Sequence, residues 1–325
     1  MLIPRFWSRA ESQAVTPEGK PVRFHVWRGS RGSEAEAQVL AQEAVGRIAE
    51  RIRRGEGFPE RYSYGERPLR EEVLREIVAG GVEVPDAAIT RNSYGALVLN
   101  AARAFFIDVD FTHGEPQQPP ASATPPAAEP AQSLWGIVDS LPLPGGLRSI
   151  VDQFRPVQQH QPGGPPPTRA PADPTAPARE QLRALVAGRP GWRVRVYRTY
   201  AGLRYLVTHA PFSPTGGETQ AILAAVGADM QYIRLCQIQK SFRARLTPKP
   251  WRIGMENPPV RFPYESPAHE QEMRAWEARY TQASQGRATC HFIEEIGDGA
   301  EHPDIAPLRA LHDEQTRATS GLPLA

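Results

Sequence analysis

Two aspartates stand two residues apart at the end of the apolar segment FFIDVDF. If this segment is a strand, Asp108 and Asp110 project from the same face, because side chains alternate across a strand. Adjacent carboxylates repel each other, and a divalent cation commonly neutralises such a pair. A Mg²⁺ or Mn²⁺ ion held there could activate a hydroxyl and stabilise a phosphoryl centre. The structural alternative is that one aspartate caps the following turn while the other is solvated.

Basic residues gather further along the chain. Between residues 178 and 254, thirteen Lys and Arg stand against three acidic residues, so this stretch carries a net charge of +10 and the rest of the chain −8. Such a block is typical of a surface that binds nucleic acid or a nucleoside triphosphate, although acidic surface elsewhere could also balance it. We predict nucleotide or phosphate contacts at Arg198, Arg204, His209, Arg243, Arg245, Lys249 and Arg252.

The segment VYRTYAGLRYLVTH has the pattern of a hairpin. Gly202 permits its turn, and Arg198, Arg204 and His209 lie on its two arms. Arginines beside an acidic centre could clamp a triphosphate through their forked N–H groups. They could equally be surface arginines of an edge strand.

A second basic segment begins at Asp229 and continues through FRARLTPKPWR. Two prolines stiffen the backbone around Lys249, and Trp251 beside Arg252 offers a stacking surface with an adjacent charge, as in single-strand binders. The alternative places Trp251 in the core and makes Asp229 an ordinary helix N-cap.

Taken together, these segments resemble the archaeo-eukaryotic primase superfamily, the primase-polymerases. FFIDVDF is similar to the family's acidic strand, and the stretch from Asp229 to FRARL is similar to its third acidic motif with a basic continuation. The resemblance implies catalytic, metal-binding roles for Asp108, Asp110 and Asp229, and phosphate contacts from Arg243 and Lys249. In the family's middle motif Arg204 stands where a histidine is expected, and His209 is a candidate substitute. The motifs RPLREE, RTYAGLR and FRARLTPKPWR also resemble a bacterial protein family, which supplies no function.

The leading hypothesis is a metal-dependent, primase-polymerase-like nucleotidyltransferase that acts on nucleotides and nucleic acid, either active or degenerate. The runner-up is a non-catalytic nucleic-acid-binding or scaffold protein, and a metal-dependent nuclease or phosphatase comes third. If Asp108 and Asp110 share a cation, the change Asp108→Ala should raise stability without metal, because it relieves repulsion between carboxylates.

Proline is distributed unevenly. Sixteen of the 34 prolines fall between residues 116 and 177, and such stretches favour extended, solvated backbone. We therefore predict a flexible insertion at 115–177 that separates an N-terminal part, 1–114, from a C-terminal part, 178–325. An apolar island at 134–154 could dock a protein partner.

Hydrophobic patterning elsewhere predicts an α+β fold, with a two-part mixed sheet core and flanking helices interrupted by the Pro-rich insertion. Near the N-terminus we predict the strand VRFHVW, a helix opened by Ser33 with Glu36 in a capping box, and a second helix from Pro68 through Ile77. Two cysteines, no leader-like N-terminus and no long apolar run lead us to expect a cytoplasmic protein without a membrane span.

The remaining predicted elements are strands within 88–110, a helix at 178–187, the strands WRVRVY and RYLVTH, helices at 217–226 and 229–241, the strand FRARL, a helix at 267–282, the strand CHFIEEI and a helix at 304–318.

Overall fold

The computed structural model describes residues 1–56, 69–78, 86–111 and 173–325. These ranges contain six α-helices and three antiparallel sheets, which confirms the α+β class. The island at 134–154 and the predicted insertion up to residue 172 lie outside the described residues. Within the described ranges, no helix is both long and apolar enough to cross a bilayer.

The N-terminal residues form a hairpin covered by a helix. Strands β1 (Phe6–Val15) and β2 (Pro21–Ser30) pair antiparallel, and α1 (Glu34–Arg53) packs on them. The side chain of Ser33 accepts a hydrogen bond from the backbone N–H of Glu36, so the predicted helix start is confirmed. The predicted strand VRFHVW is confirmed within β2, whereas β1 had no predicted counterpart.

One four-stranded sheet has the order β10-β7-β8-β6. Its members are β6 (Phe105–Asp110), β7 (Val194–Thr199), β8 (Gly202–Val207) and β10 (Cys290–Ile296). Strand β8 is buried along its whole length, so it is the centre of the core, and β6 forms one edge of this sheet. The acidic pair at the end of β6 therefore lies at a sheet edge next to the β7–β8 turn.

The other four-stranded sheet has the order β3-β4-β5-β9. Its members are β3 (Glu72–Ile77), β4 (Ala87–Arg91), β5 (Leu97–Ala101) and β9 (Phe242–Arg245). The helix predicted from Pro68 through Ile77 is wrong, because residues 72–77 pair with β4 as an edge strand. The four-residue spacing of Val73 and Ile77 imitates a helical face, and pairing with a neighbouring strand overrides that local preference.

Helices and aromatic contacts join the two sheets into one core. Phe105 of β6 and Phe242 of β9 lie with ring centroids 4.7 Å apart. The two cysteines, Cys236 and Cys290, are buried and free. The remaining helices are α2 (Ala176–Ala187), α3 (Gly217–Ala225), α4 (Met230–Gln239), α5 (Pro267–Ser284) and α6 (Ala306–Thr316), with a 3₁₀ turn at Pro250–Ile253 between β9 and α5.

Candidate functional site

Asp108 is held by an arginine on the neighbouring strand. The register places it directly opposite Arg204, whose Nε and Nη2 atoms donate to Asp108 Oδ1 at 2.7 Å and Oδ2 at 2.9 Å. Arg204 is 1% exposed. Burial alone would lower the pKa of Arg204, but the carboxylate of Asp108 outweighs burial and raises it. Both oxygens of Asp108 are thus engaged by a buried cation.

Asp110 lies two residues further along β6, opposite Gly202 at the β7–β8 turn. A Cβ atom on Gly202 would stand 2.0 Å from the carbonyl oxygen of Val109, so the strands approach closely only because this residue is glycine. Asp110 as a residue is exposed, but neighbouring atoms partly desolvate its carboxylate. This partial desolvation raises the pKa of Asp110. Asp108 and Asp229 raise the pKa of Asp110 further. The three aspartates are therefore electrostatic neighbours.

Asp229 joins the acidic group through its helix. Its backbone N–H donates to the carbonyl oxygen of Asp108 at 3.3 Å, which ties the start of α4 to β6. Its Oδ1 atom accepts from the backbone N–H of Tyr232 at 2.7 Å, so Asp229 is the N-cap of α4. The structural alternative for this residue is confirmed.

A basic and aromatic surface stands next to Asp110. Lys249 and Arg245 act on the carboxylate of Asp110 and lower its pKa, against the effect of burial. The Nζ atom of Lys249 lies 5.3 Å from the ring centre of Trp251, and the guanidinium of Arg252 lies 4.0 Å from the ring centre of Tyr200. We call this group the basic-aromatic cluster; its members are Tyr94, Tyr200, Arg245, Lys249, Trp251 and Arg252.

Arg245 and Tyr94 form the inner part of this cluster. Tyr94, in the turn between β4 and β5, meets Trp251 edge to face at 5.4 Å. Burial lowers the pKa of Arg245; the nearby tyrosine Tyr94 opposes this effect, while the like charges of Arg252 and Arg204 add to it. Repulsion among cations at one place is relieved when an anion binds between them.

Two predicted phosphate contacts lie away from this surface. Arg198 pairs with Leu203, so it belongs to the face of the sheet opposite to that of Arg204, and its guanidinium donates to Gly202 O at 3.3 Å. His209 follows the far end of β8, roughly 17 Å along the strand direction from Arg204 at about 3.3 Å per residue. Its Nδ1 atom accepts from the backbone N–H of Arg193 at 3.2 Å, and its ring packs at a tilt against Trp192. Strand alternation separates Arg198 from Arg204, and distance along the strand separates His209 from Arg204, so phosphate contacts at Arg198 and His209 stay predictions.

Arg243 is also placed away from the surface. It is 8% exposed, and its Nη2 atom donates to Glu71 Oε1 at 2.7 Å. Asn100 Oδ1 accepts from the other terminal nitrogen of Arg243, and Thr90 donates to Glu71. In the structure this guanidinium forms a buried ion pair with Glu71, and a phosphate contact at Arg243 would have to compete with that pair.

A histidine that the site predictions did not include lies behind Arg204. His312 Nε2 is 3.4 Å from Arg204 Nη1, and His312 Nδ1 is 3.1 Å from Asp313 Oδ1. Burial lowers the pKa of His312 to about 4, so its ring is neutral at physiological pH. Because arginine can only donate, Nε2 must accept and the proton must sit on Nδ1, facing Asp313. No local pattern could reveal this contact, since 108 residues separate its partners.

The arrangement of Asp108, Asp110 and Asp229 shows whether these carboxylates could hold the predicted Mg²⁺ or Mn²⁺ ion. In the ranges that the structure describes, no group of three His, Cys, Asp or Glu side chains is placed to hold a metal ion. Both oxygens of Asp108 accept from Arg204, and one oxygen of Asp229 caps a helix, so among these three aspartates Asp110 is the one whose carboxylate has no such hydrogen bond to the described residues. This arrangement does not fit a two-ion centre, and the Mg²⁺ or Mn²⁺ ion stays a prediction.

Comparisons of the chain with protein-family models, with curated proteins and with solved structures found no match. The case for a function therefore depends on the site itself.

Proposed function

We propose that this protein binds nucleic acid or nucleotides at the basic-aromatic cluster, without catalysing a reaction there. The observation that carries the proposal is the convergence of Arg245, Lys249 and Arg252 with two aromatic rings, Tyr200 and Trp251, on one surface. Cations supply phosphate contacts and aromatic faces supply base stacking, the two interactions that single-strand binders combine.

The aromatic part of the cluster distinguishes it from a simple charged patch. Tyr200 is 49% exposed, and the guanidinium of Arg252 lies over its ring. An exposed ring at the tip of the β7–β8 hairpin can accept a base on its open face, and a neighbouring cation strengthens the stack. Each stacked base is worth about 1–3 kcal/mol in such proteins.

The non-catalytic form of the proposal is supported by the state of Asp108. A carboxylate whose two oxygens already accept from a buried guanidinium is held by strong, charge-assisted hydrogen bonds. Releasing it for another role would leave Arg204 buried without its counter-charge. Asp108 is therefore a structural residue in this proposal, and Asp110 sets the acidic border of the binding surface.

The test is the salt dependence of binding to a fluorescent single-stranded oligonucleotide. We expect the double variant Lys249→Gln, Arg252→Gln to bind more weakly and to lower the slope of log Kd against log salt by about 1.4, since each lost single-strand phosphate contact removes about 0.7. The matched control is Arg47→Gln with Arg54→Gln, which removes the same charge from an exposed arginine within α1 and from the exposed arginine at its C-cap.

Equal loss of affinity in the two double variants would mean that general charge, not the cluster, attracts the oligonucleotide. No binding by the wild-type chain at low salt would overturn the proposal.

A second candidate is the metal-dependent nucleotidyltransferase of the primase-polymerase type. The observation in its favour is that Asp108 and Asp229 both raise the pKa of Asp110, so the three acids that the resemblance assigns to catalysis are neighbours. Incorporation of a labelled nucleotide into a primer with Mn²⁺, abolished by Asp110→Asn, would support this candidate. Oligonucleotide binding that is unchanged by Mn²⁺, with no incorporation, would leave the binding proposal alone.

A further inference from the structure

A cavity of about 280 Å³ lies between strands β3 and β4 and the loop at 258–264, among residues that neither candidate function uses. The residues that shape its chemistry are Arg70, Arg91, Arg261, Glu71, Glu72 and Phe262. Its volume is at the small end of the range for ligand sites.

The acidic residues in the wall already have partners. Glu71 accepts from Arg243 at 2.7 Å, and Glu72 accepts from Arg274 at 2.6 Å and from the hydroxyl of Tyr264 at 2.8 Å. These carboxylates are therefore neutralised by cations of the protein.

One of the three arginines is neutralised in the same way, because Arg91 lies 3.0 Å from Glu277. Arg70 and Arg261 remain as the cations that set the charge of the cavity. Burial lowers the pKa of Arg70, and the like charge of Arg261 lowers it further, while Glu265 acts in the opposite direction. Glu265 itself lies 3.7 Å from Arg9.

The position of Arg70 is set by the protein. Its Nε atom donates to the carbonyl oxygen of Phe262 at 2.5 Å, and its guanidinium lies 5.7 Å from the ring centre of Trp27. The rings of Phe262 and Tyr264, 5.7 Å apart and nearly perpendicular, supply an apolar wall. Two guanidiniums beside an aromatic wall match a ligand with an anionic head and a flat apolar body.

We propose that this cavity binds a small aromatic anion, a carboxylate or a phosphate ester, between Arg70 and Arg261. The anion relieves the repulsion between the two guanidiniums, and its ring lies against Phe262 and Tyr264. This site is separate from the basic-aromatic cluster and does not depend on the function proposed there.

The experiment measures the thermal midpoint of the full chain with phenyl phosphate and with benzoate, because a ligand that binds only the folded state raises the midpoint. We expect at least one of the two to raise it in the wild-type chain and in Arg287→Gln, an exposed-arginine control. Arg261→Gln should need at least tenfold more ligand for the same rise. Since Arg261 is exposed, this variant is expected to fold.

An equal response of Arg261→Gln and the wild-type chain would overturn the proposal. So would a rise that sodium chloride reproduces at the same ionic strength, or no rise with either ligand. The Lys249→Gln, Arg252→Gln variant should respond as the wild-type chain does, so failure of this proposal and failure of the oligonucleotide-binding proposal are distinguishable.

Discussion

Arginines occupy two different environments in this protein. In the interior, the buried guanidiniums of Arg204 and Arg243 each pair with a carboxylate. At the end of the β6 strand, Arg245, Arg252 and Lys249 gather beside aromatic rings, and Arg245 feels the like charges of Arg252 and Arg204. All of them come from one basic stretch of sequence. The difference shows that counting charges locates a basic region but does not say which side chains a ligand can reach.

The largest expected effect comes from the interior. Asp108→Ala should destabilise the fold by about 3–5 kcal/mol, because it leaves the guanidinium of Arg204 buried without its counter-charge. From the sequence alone we predict that this change raises stability, because the sequence shows the neighbouring carboxylate of Asp110 but not the arginine across the sheet. Urea unfolding measures the change. The double variant Asp108→Ala, Arg204→Met should recover part of the loss, and additive losses would show that the pair is not coupled.

The second prediction compares a buried arginine with an exposed one. Arg243→Gln should cost about 3 kcal/mol of unfolding free energy, because Glu71 loses its buried partner. Arg5→Gln, which removes an exposed pair with Glu76, should cost less than about 1 kcal/mol. Both variants should bind the oligonucleotide with the affinity of the wild-type chain. Lost affinity with unchanged stability in Arg243→Gln would restore Arg243 as a phosphate contact.

The third prediction concerns the surface ring. Tyr200→Ala should weaken single-strand binding by about 1–3 kcal/mol, since one base loses its stacking partner. The unfolding free energy of this variant should differ from that of the wild-type chain by less than about 0.5 kcal/mol, because the ring is exposed. Phe6→Ala, an exposed aromatic residue of the β1–β2 hairpin, is the control. If both variants bind as the wild-type chain does, Tyr200 is not a stacking platform.

The smallest effect should come from Asp110→Asn. The pKa of Asp110 is raised in the folded state, so wild-type stability falls as pH rises from its ordinary value through the raised one. The asparagine variant should therefore be slightly more stable than the wild-type chain at neutral pH and equal to it in acid. Urea midpoints at the two pH values measure this. A variant that is less stable at neutral pH would show that the Asp110 carboxylate makes a favourable contact.

Asp110 should also change binding in a defined direction. Ionised Asp110 repels phosphate, so the oligonucleotide affinity of the wild-type chain should rise as pH falls through the raised pKa of this residue. The affinity of Asp110→Asn should not show that step. A step of the same size in the variant would assign the titration to another group.

Most elements could be predicted because their signals are local. Ser33 with Glu36 marked the start of α1, and the segment CHFIEEI marked β10 from end to end. The edge strand β3 could not be found this way, because its apolar residues have helical spacing and its strand character depends on pairing with β4. Local periodicity is decisive only where tertiary contacts agree with it.

The acidic residues and part of the basic surface could also be located from the sequence. Asp108 and Asp110 share a face because a strand alternates, and Lys249, Trp251 and Arg252 are close together in the chain. The partners of Arg204 and Arg243 could not be predicted, since the ion pairs bridge separations of 96 and 172 residues. Strand alternation also separates Arg198 from Arg204, which a motif that names both residues does not show.

The contact between Arg204 and His312 has a consequence for the order in which the protein folds. A chain leaving the ribosome exposes β6 and β8 before α6, so Asp108 and Arg204 leave the ribosome before His312 does. Contacts between such distant residues form slowly, because a long loop must close before they contribute. The contacts behind Asp108 are therefore complete only after synthesis has reached α6. A nascent chain stalled before that point would lack the contact between Arg204 and His312.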